Sequence, residues 1–241
     1  MNSRGQVVVT GAAGGMGSAC CQYLAQQGYS ILAIDHNAGR LQVLLKCSSA
    51  IKGLAIHLDD AQLCISVQQA LSPLHPVIGL VNLVGVSKGD SIDKLSDSDW
   101  EASFAINVTP AMRLIRLLAP AMKQNRYGSI VNVGSPVGIV GARKPSYAAS
   151  KAALHGLTMS CARQLGVDNI RVNLLLPGPT ITYMTQDWTQ ERRDSIAAGT
   201  FLKRLCTPEE IAKTVAFLLS DDSSYITGAV MDMTAGSLYG H

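Results

Sequence analysis

Short apolar runs alternate with amphipathic stretches along the whole chain. The runs at 6–10, 30–35, 54–57, 78–83, 129–134, 171–176 and 230–233 are largely apolar. This is the pattern of parallel strands covered on both faces. Between them, residues 16–27, 38–47, 61–71, 99–125, 147–165 and 208–219 repeat apolar positions at helical spacing. Pro208 directly after Thr207, followed by Glu209 and Glu210, marks a helix start. Proline needs no N–H partner in the first turn, and acidic groups suit the positive end of the helix dipole. No linker, low-complexity segment or internal repeat interrupts the alternation. The pattern predicts one doubly wound α/β domain over residues 1–241, a seven-stranded parallel sheet flanked by helices on both faces. Ligands then belong at the carboxyl ends of the strands.

Composition narrows the class. The chain has 241 residues, 47% hydrophobic and 15% charged, with a net charge of +3. Its mean hydropathy is +0.20, which excludes a disordered chain. The 22 glycines keep no triplet period, which excludes a collagenous one. The positive balance is small and dispersed, so no nucleic acid is expected as partner. No apolar run reaches the ~18 residues of a spanning helix, so no membrane is expected either. The run Val7-Val8-Val9 is too short for a signal-peptide core. Six cysteines, at 20, 21, 47, 64, 161 and 206, show no C-x-x-C pair and are expected to be reduced and mostly buried. A cytoplasmic enzyme or binding protein is the expectation. His36, His57, His75, His155 and His241 show no metal-ligand spacing, so no metal is expected.

Two constellations carry chemistry. Thr10-Gly11-Ala12-Ala13-Gly14-Gly15-Met16-Gly17 lies where the first strand hands over to a helix. Glycines there permit a tight turn and let backbone N–H groups and the helix N-terminus approach a pyrophosphate. The second strand ends in Asp35, 24 residues after Gly11, where an acid accepts hydrogen bonds from an adenosine ribose. Together they point to a Rossmann-type dinucleotide site. A carboxylate repels a 2′-phosphate, and the neighbours are Gly14, His36 and Arg40. NAD is therefore favoured, with NADP as the alternative.

Tyr147 and Lys151 are four residues apart in a helical stretch, so both side chains share one helix face. A free tyrosine titrates near pH 10, too high for ready proton exchange at neutral pH. A neighbouring cation lowers that value, and the phenol then exchanges a proton with an alcohol or ketone while hydride moves.

With both motifs in place, the chain resembles the short-chain dehydrogenase/reductase family from Val7 to about Gly236. The family's glycine motif is matched by Thr10, Gly11, Gly15 and Gly17, and its active-site pair by Tyr147 and Lys151. Its strand-end serine falls on Ser135 and its helix asparagine on Asn107. The resemblance implies that Tyr147 is the general acid/base and that Lys151 lowers its pKa and holds the nicotinamide ribose. It further implies that Ser135 hydrogen-bonds the substrate oxygen and that Asn107 links Lys151 to a water chain. Cofactor contacts are implied for Gly11, Gly14, Gly15, Met16, Gly17, Asp35, Leu58, Asn82, Gly85, Tyr147 and Lys151. The segment Pro177-Gly178-Pro179-Thr180-Ile181-Thr182 resembles the one that closes over the nicotinamide and pyrophosphate, which adds Pro177, Gly178, Thr180 and Thr182. The helices of the family pair across subunits, so a homodimer or homotetramer is implied.

The chain departs from the family in three places. The segment N-N-A-G reads Asn82-Leu83-Val84-Gly85, and His57 stands where an acid usually meets the adenine. The interval from Ser135 to Tyr147 is one residue short, which predicts a tighter loop through Arg143. Substrate specificity is expected in 86–94, 136–145 and a lid at about 183–205. Tyr183, Met184 and Trp188 there offer apolar contacts, and Arg143, Arg192 and Arg193 are candidates for a substrate carboxylate. The expected activity is NAD(H)-dependent interconversion of a secondary alcohol and a ketone. A 3-oxoacyl-carrier-protein reductase-like enzyme using NADPH and a non-catalytic NAD(H)-binding module are the alternatives.

Overall fold

The computed structural model describes residues 4–182, 185 and 187–238. Seven parallel strands form one sheet, ordered β3-β2-β1-β4-β5-β6-β7. They are β1 (Gln6–Thr10), β2 (Ser30–Asp35), β3 (Ile51–Ala55), β4 (Val77–Asn82), β5 (Gly128–Val133), β6 (Ile170–Pro177) and β7 (Val230–Met233). Nine α-helices connect them among the described residues: α1 (Gly15–Gln26), α2 (Ala38–Leu45), α3 (Leu63–Ala70), α4 (Asp97–Asn107), α5 (Thr109–Asn125), α6 (Val137–Val140), α7 (Pro145–Leu165), α8 (Gln190–Ala198) and α9 (Pro208–Leu219).

Alternation along each strand builds two cores. Val7, Val9, Ile31, Ala33 and Val131 face Cys20, Leu24, Ile211 and Val215 of α1 and α9. Val8, Leu32, Leu80, Ile130 and Val172 face Leu63, Leu114, Leu118 and Met122 of α3 and α5. Because β2 and β4 flank β1, the connections diverge on either side of it. The crevice this opens at the carboxyl ends of β1 and β4 is where open α/β sheets bind ligands.

The sequence pattern misplaces two elements. β3 starts at Ile51 rather than residue 54, because Lys52 and Gly53 interrupt the apolar run while still pairing with Leu32 and Ala33. It is an edge strand, and its exposed Lys52 suits that position. The stretch 99–125 is two helices, broken at Val108, where φ is −119° and ψ −54°. Pro110 lacks an N–H, and its ring would clash inside a continuous helix, so it starts a new one. Of the cysteines, all free thiols, Cys20 and Cys21 are buried, but Cys47 is exposed and the other three are half-buried. The expectation of mostly buried cysteines is therefore wrong for four of the six. Among the described residues, no helix is long and apolar enough to cross a membrane.

Candidate active site

The crevice holds a cleft of about 490 Å³. One wall is the glycine turn between β1 and α1. Gly11 has φ +66°, a conformation that side chains other than glycine's rarely tolerate. The N–H of Gly14 closes the turn on Gly11 O at 3.0 Å. A Cβ on Gly17 would run into that same oxygen, so helix and turn pack this closely only with glycine there. No side chain caps α1 at Gly14, which leaves the helix N-terminus facing the cleft for an anion.

Asp35 ends β2 in the opposite wall and is buried. Its Oδ2 accepts the Ala13 N–H at 2.9 Å, and its Oδ1 accepts the Asn37 N–H at 2.9 Å. The carboxylate therefore ties the glycine turn to the end of β2. Met16, Leu58, Leu83, Val84 and Gly85 complete this part of the cleft. A glycine cradle that any Cβ would fill, an uncapped helix start and a carboxylate across from them fit a dinucleotide.

Tyr147 and Lys151 lie on α7. Lys151 is buried, and its Nζ donates to Val84 O at 3.2 Å and Val133 O at 3.0 Å. Burial pushes its ammonium down to about 8. A Cβ on Gly85 would stand 2.9 Å from that Nζ, so the glycine kept from the family segment makes room for the lysine. The larger Leu83 and Val84 are accommodated, since Val84 supplies the carbonyl that Lys151 reaches.

The Tyr147 phenol is pushed up by burial, and a hydrogen bond from the Ser135 hydroxyl offsets this in part. This corrects the expected role of Lys151. Its Nζ lies 6.0 Å from the Tyr147 ring centroid and points at two main-chain carbonyls. The group that favours the phenolate here is Ser135.

Asn107 is the last residue of α4. Its Oδ1 accepts the Val86 N–H at 2.8 Å, and its Nδ2 donates to Val86 O at 3.0 Å and Ser150 Oγ at 2.9 Å. Ser150 in turn donates to Tyr147 O at 2.8 Å. Asn107 thus joins the loop after β4 to the helix turn that carries Tyr147. Asn82 does not line the cleft. Its Nδ2 donates to Asn132 Oδ1 at 2.8 Å, and Asn132 donates to Thr158 Oγ1 at 2.9 Å, a buried polar rung from β4 through β5 to α7.

Of the segment after β6, Thr182 lines the cleft, packed against Gly15. Pro177, Gly178 and Thr180 lie outside it: Gly178 abuts the Thr234 main chain, and Thr180 Oγ1 donates to Gly178 O at 2.9 Å. The candidate arginines have local partners. Arg143 meets Asp90 at 3.5 Å, Arg192 stacks 5.0 Å from the Trp188 ring centroid, and Arg193 donates to Thr185 O at 3.4 Å. Tyr183, Met184 and His241 lie outside the described residues.

Val86 and Lys88, from the expected specificity segment 86–94, also line the cleft, as do Ile56 and Ile106, to which the sequence reading gave no role. Asn132 did carry a signal, as a polar residue inside an apolar strand. Among the described residues, no three His, Cys, Asp or Glu side chains are placed to hold a metal.

Comparison with known proteins gives the family. Residues 11–237 match the family described as enoyl-(acyl carrier protein) reductase. The 3-oxoacyl-(acyl-carrier-protein) reductase of Thermotoga maritima is 34% identical over 98% of this chain and 99% of its own. The acetoacetyl-CoA reductase of Allochromatium vinosum is 30% identical over 95% of this chain and 96% of its own. A solved oxidoreductase of the short-chain dehydrogenase/reductase family from Burkholderia thailandensis superposes with a TM-score of 0.91 at 26% identity. It covers 100% of this chain and 95% of the solved one. Agreement of this extent, in sequence and in fold, means that the chain belongs to the short-chain dehydrogenase/reductase family of oxidoreductases.

Proposed function

We propose that the protein interconverts a ketone and a secondary alcohol with NAD(H). The observation that carries this is the placing of Tyr147 and Lys151 on one face of α7, with the Lys151 Nζ 6.0 Å from the Tyr147 ring centroid and bound to the main chain of Val84, which lines the cleft. When bound, the nicotinamide supplies the hydride for ketone reduction and accepts it in alcohol oxidation. Ser135 holds the substrate oxygen, and Tyr147 gives it a proton as the carbonyl carbon is reduced, or removes that proton in the reverse direction. Lys151, beside the Tyr147 ring, holds the ribose. Asn107 acts as a positioning residue for the turn that bears Tyr147. Asp35 favours NAD(H), because its carboxylate repels a 2′-phosphate.

A second reading concerns the ketone. The two named relatives act, by their names, on 3-oxoacyl thioesters, which favours that substrate class over simple alcohols. The reading includes assembly into a homodimer or homotetramer through α4, α5 and α7, where Trp100, Met112 and Met159 are exposed.

The test is Tyr147→Phe, assayed with acetoacetyl thioester and a panel of secondary alcohols. Turnover should fall at least ~100-fold, the scale of general acid–base catalysis, while NADH affinity stays within about threefold. Full activity in this variant would refute the mechanism.

A further inference from the structure

Tyr147 follows directly on a serine that the reaction does not use. Ser146 stands in the first turn of α7 and is fully buried. No side chain caps this helix start, and the Ser146 hydroxyl turns away from it. Its Oγ donates across to Lys88 O, in the loop after β4, at 3.1 Å. The loop comes this close because of Gly89, whose φ is +76°, a conformation that favours glycine. A Cβ there would stand 2.8 Å from Leu95 Cδ1 and 3.0 Å from Ser146 Oγ. Neighbouring bonds run the same way. Asn107 takes both main-chain groups of Val86, Lys144 Nζ donates to Ser87 O at 3.1 Å, and Arg143 meets Asp90 at 3.5 Å. Val86 and Lys88 line the cleft, so the cleft wall and the start of α7 are laced together across residues 86–90.

We infer that Ser146 is a positioning residue, fixing the Tyr147 phenol relative to the cleft wall at Val86 and Lys88. The inference rests on the role of Tyr147 proposed above and adds the group that sets its place.

The lacing bonds are unequal. Those of Arg143 and Lys144 lie at the surface, where water replaces a lost partner at little cost. The Ser146 hydroxyl is shut away from water, so its bond has no ready substitute. Asn107 reaches α7 through Ser150, one turn further along the helix. Ser146 joins the wall to the residue next to the phenol itself. Proton transfer needs the acid close to the substrate oxygen and aligned with it, and a small displacement of a catalytic group lowers the rate of the chemical step. Without the Ser146 bond, the productive arrangement loses the weight of one net hydrogen bond, about fivefold in its population. The chemical step should slow by the same factor.

The experiment is a single turnover. The full chain, in excess over NADH, is mixed with acetoacetyl-CoA, or with the ketone of the fastest alcohol in the panel above, and the loss of nicotinamide fluorescence is followed. Ser146→Ala removes the hydroxyl and adds no volume, so the variant keeps the fold. Its rate constant should fall about fivefold. Its NADH dissociation constant should stay within about twofold, because Asn107 still holds Val86. A merely structural loss would lower the amplitude of the trace, through a smaller folded fraction, and leave the rate constant alone. Lys144→Ala removes the exposed bond beside it and should leave the rate constant within about twofold. An unchanged rate constant in Ser146→Ala overturns the inference. So does an equal slowing in Lys144→Ala, which would make the whole loop, rather than Ser146, responsible. The reading of Tyr147 fails separately, if Tyr147→Phe turns over at the full rate or the natural chain reduces none of these ketones.

Discussion

Lys151 places a charge where the fold disfavours one, and that cost is measurable. Its ammonium is buried and pushed from its ordinary 10.5 down to about 8. At about 1.4 kcal/mol per unit, the charged form costs the folded state about 3 kcal/mol. The unfolded chain holds this proton more tightly than the folded one does. The penalty is therefore complete below about pH 8, and it fades as pH climbs towards 10.5. Lys151→Met keeps an apolar stem of similar length and removes the charge. It also removes the donor to Val84 O and Val133 O, at about 1 kcal/mol each. The two effects nearly offset at pH 7, leaving a net stabilisation of about 1 kcal/mol. At about pH 10.5, where little of the charge penalty remains, the lost hydrogen bonds dominate and the variant is the less stable protein. Urea denaturation of both proteins at the two pH values reads the difference directly. The stability change should move by about 2–3 kcal/mol and reverse sign. A change that is the same at both values would refute the argument that burial, rather than local bonding, sets the state of this lysine.

Two further outcomes concern parts remote from the chemistry. Arg171 donates to Leu218 O at 2.8 Å, Ser220 O at 3.0 Å and Ser223 Oγ at 2.7 Å, closing the carboxyl end of α9. Arg171→Met should cost about 2–4 kcal/mol by stranding these acceptors, seen as a lower melting temperature with unchanged Michaelis constants. Glu210 completes a capping box with Thr207 and pairs with Arg204 at 2.6 Å, which holds its carboxyl down to about 2. Its contribution is present above about pH 4.5 and is lost as pH falls towards 2. Glu210→Ala should therefore cost about 1 kcal/mol at pH 7, with less difference in acid denaturation at the low end.

The sequence pattern makes the fold legible because parallel strands buried on both faces leave continuous apolar runs. Six of the seven strands fall within a residue of their expected bounds: β1, β2, β4, β5, β6 and β7. β3 escapes because an edge strand tolerates a lysine and a glycine. The Tyr147–Lys151 pair is legible because helix periodicity alone puts both on one face. What each side chain then meets is not, since it depends on strand ends distant in sequence. Lys151 meets carbonyls from Val84 and Val133, which helical spacing cannot foretell, and Ser135 becomes the phenol's partner. The same holds for polar residues next to apolar strands. Asn82 and Asn107 carry a family motif, but their amides are taken up by Asn132, Val86 and Ser150. A buried amide must satisfy its own hydrogen-bonding groups. In this chain those bonds fix the β4 loop and the turn bearing Tyr147, so the geometry of the phenol is set by groups that never touch it.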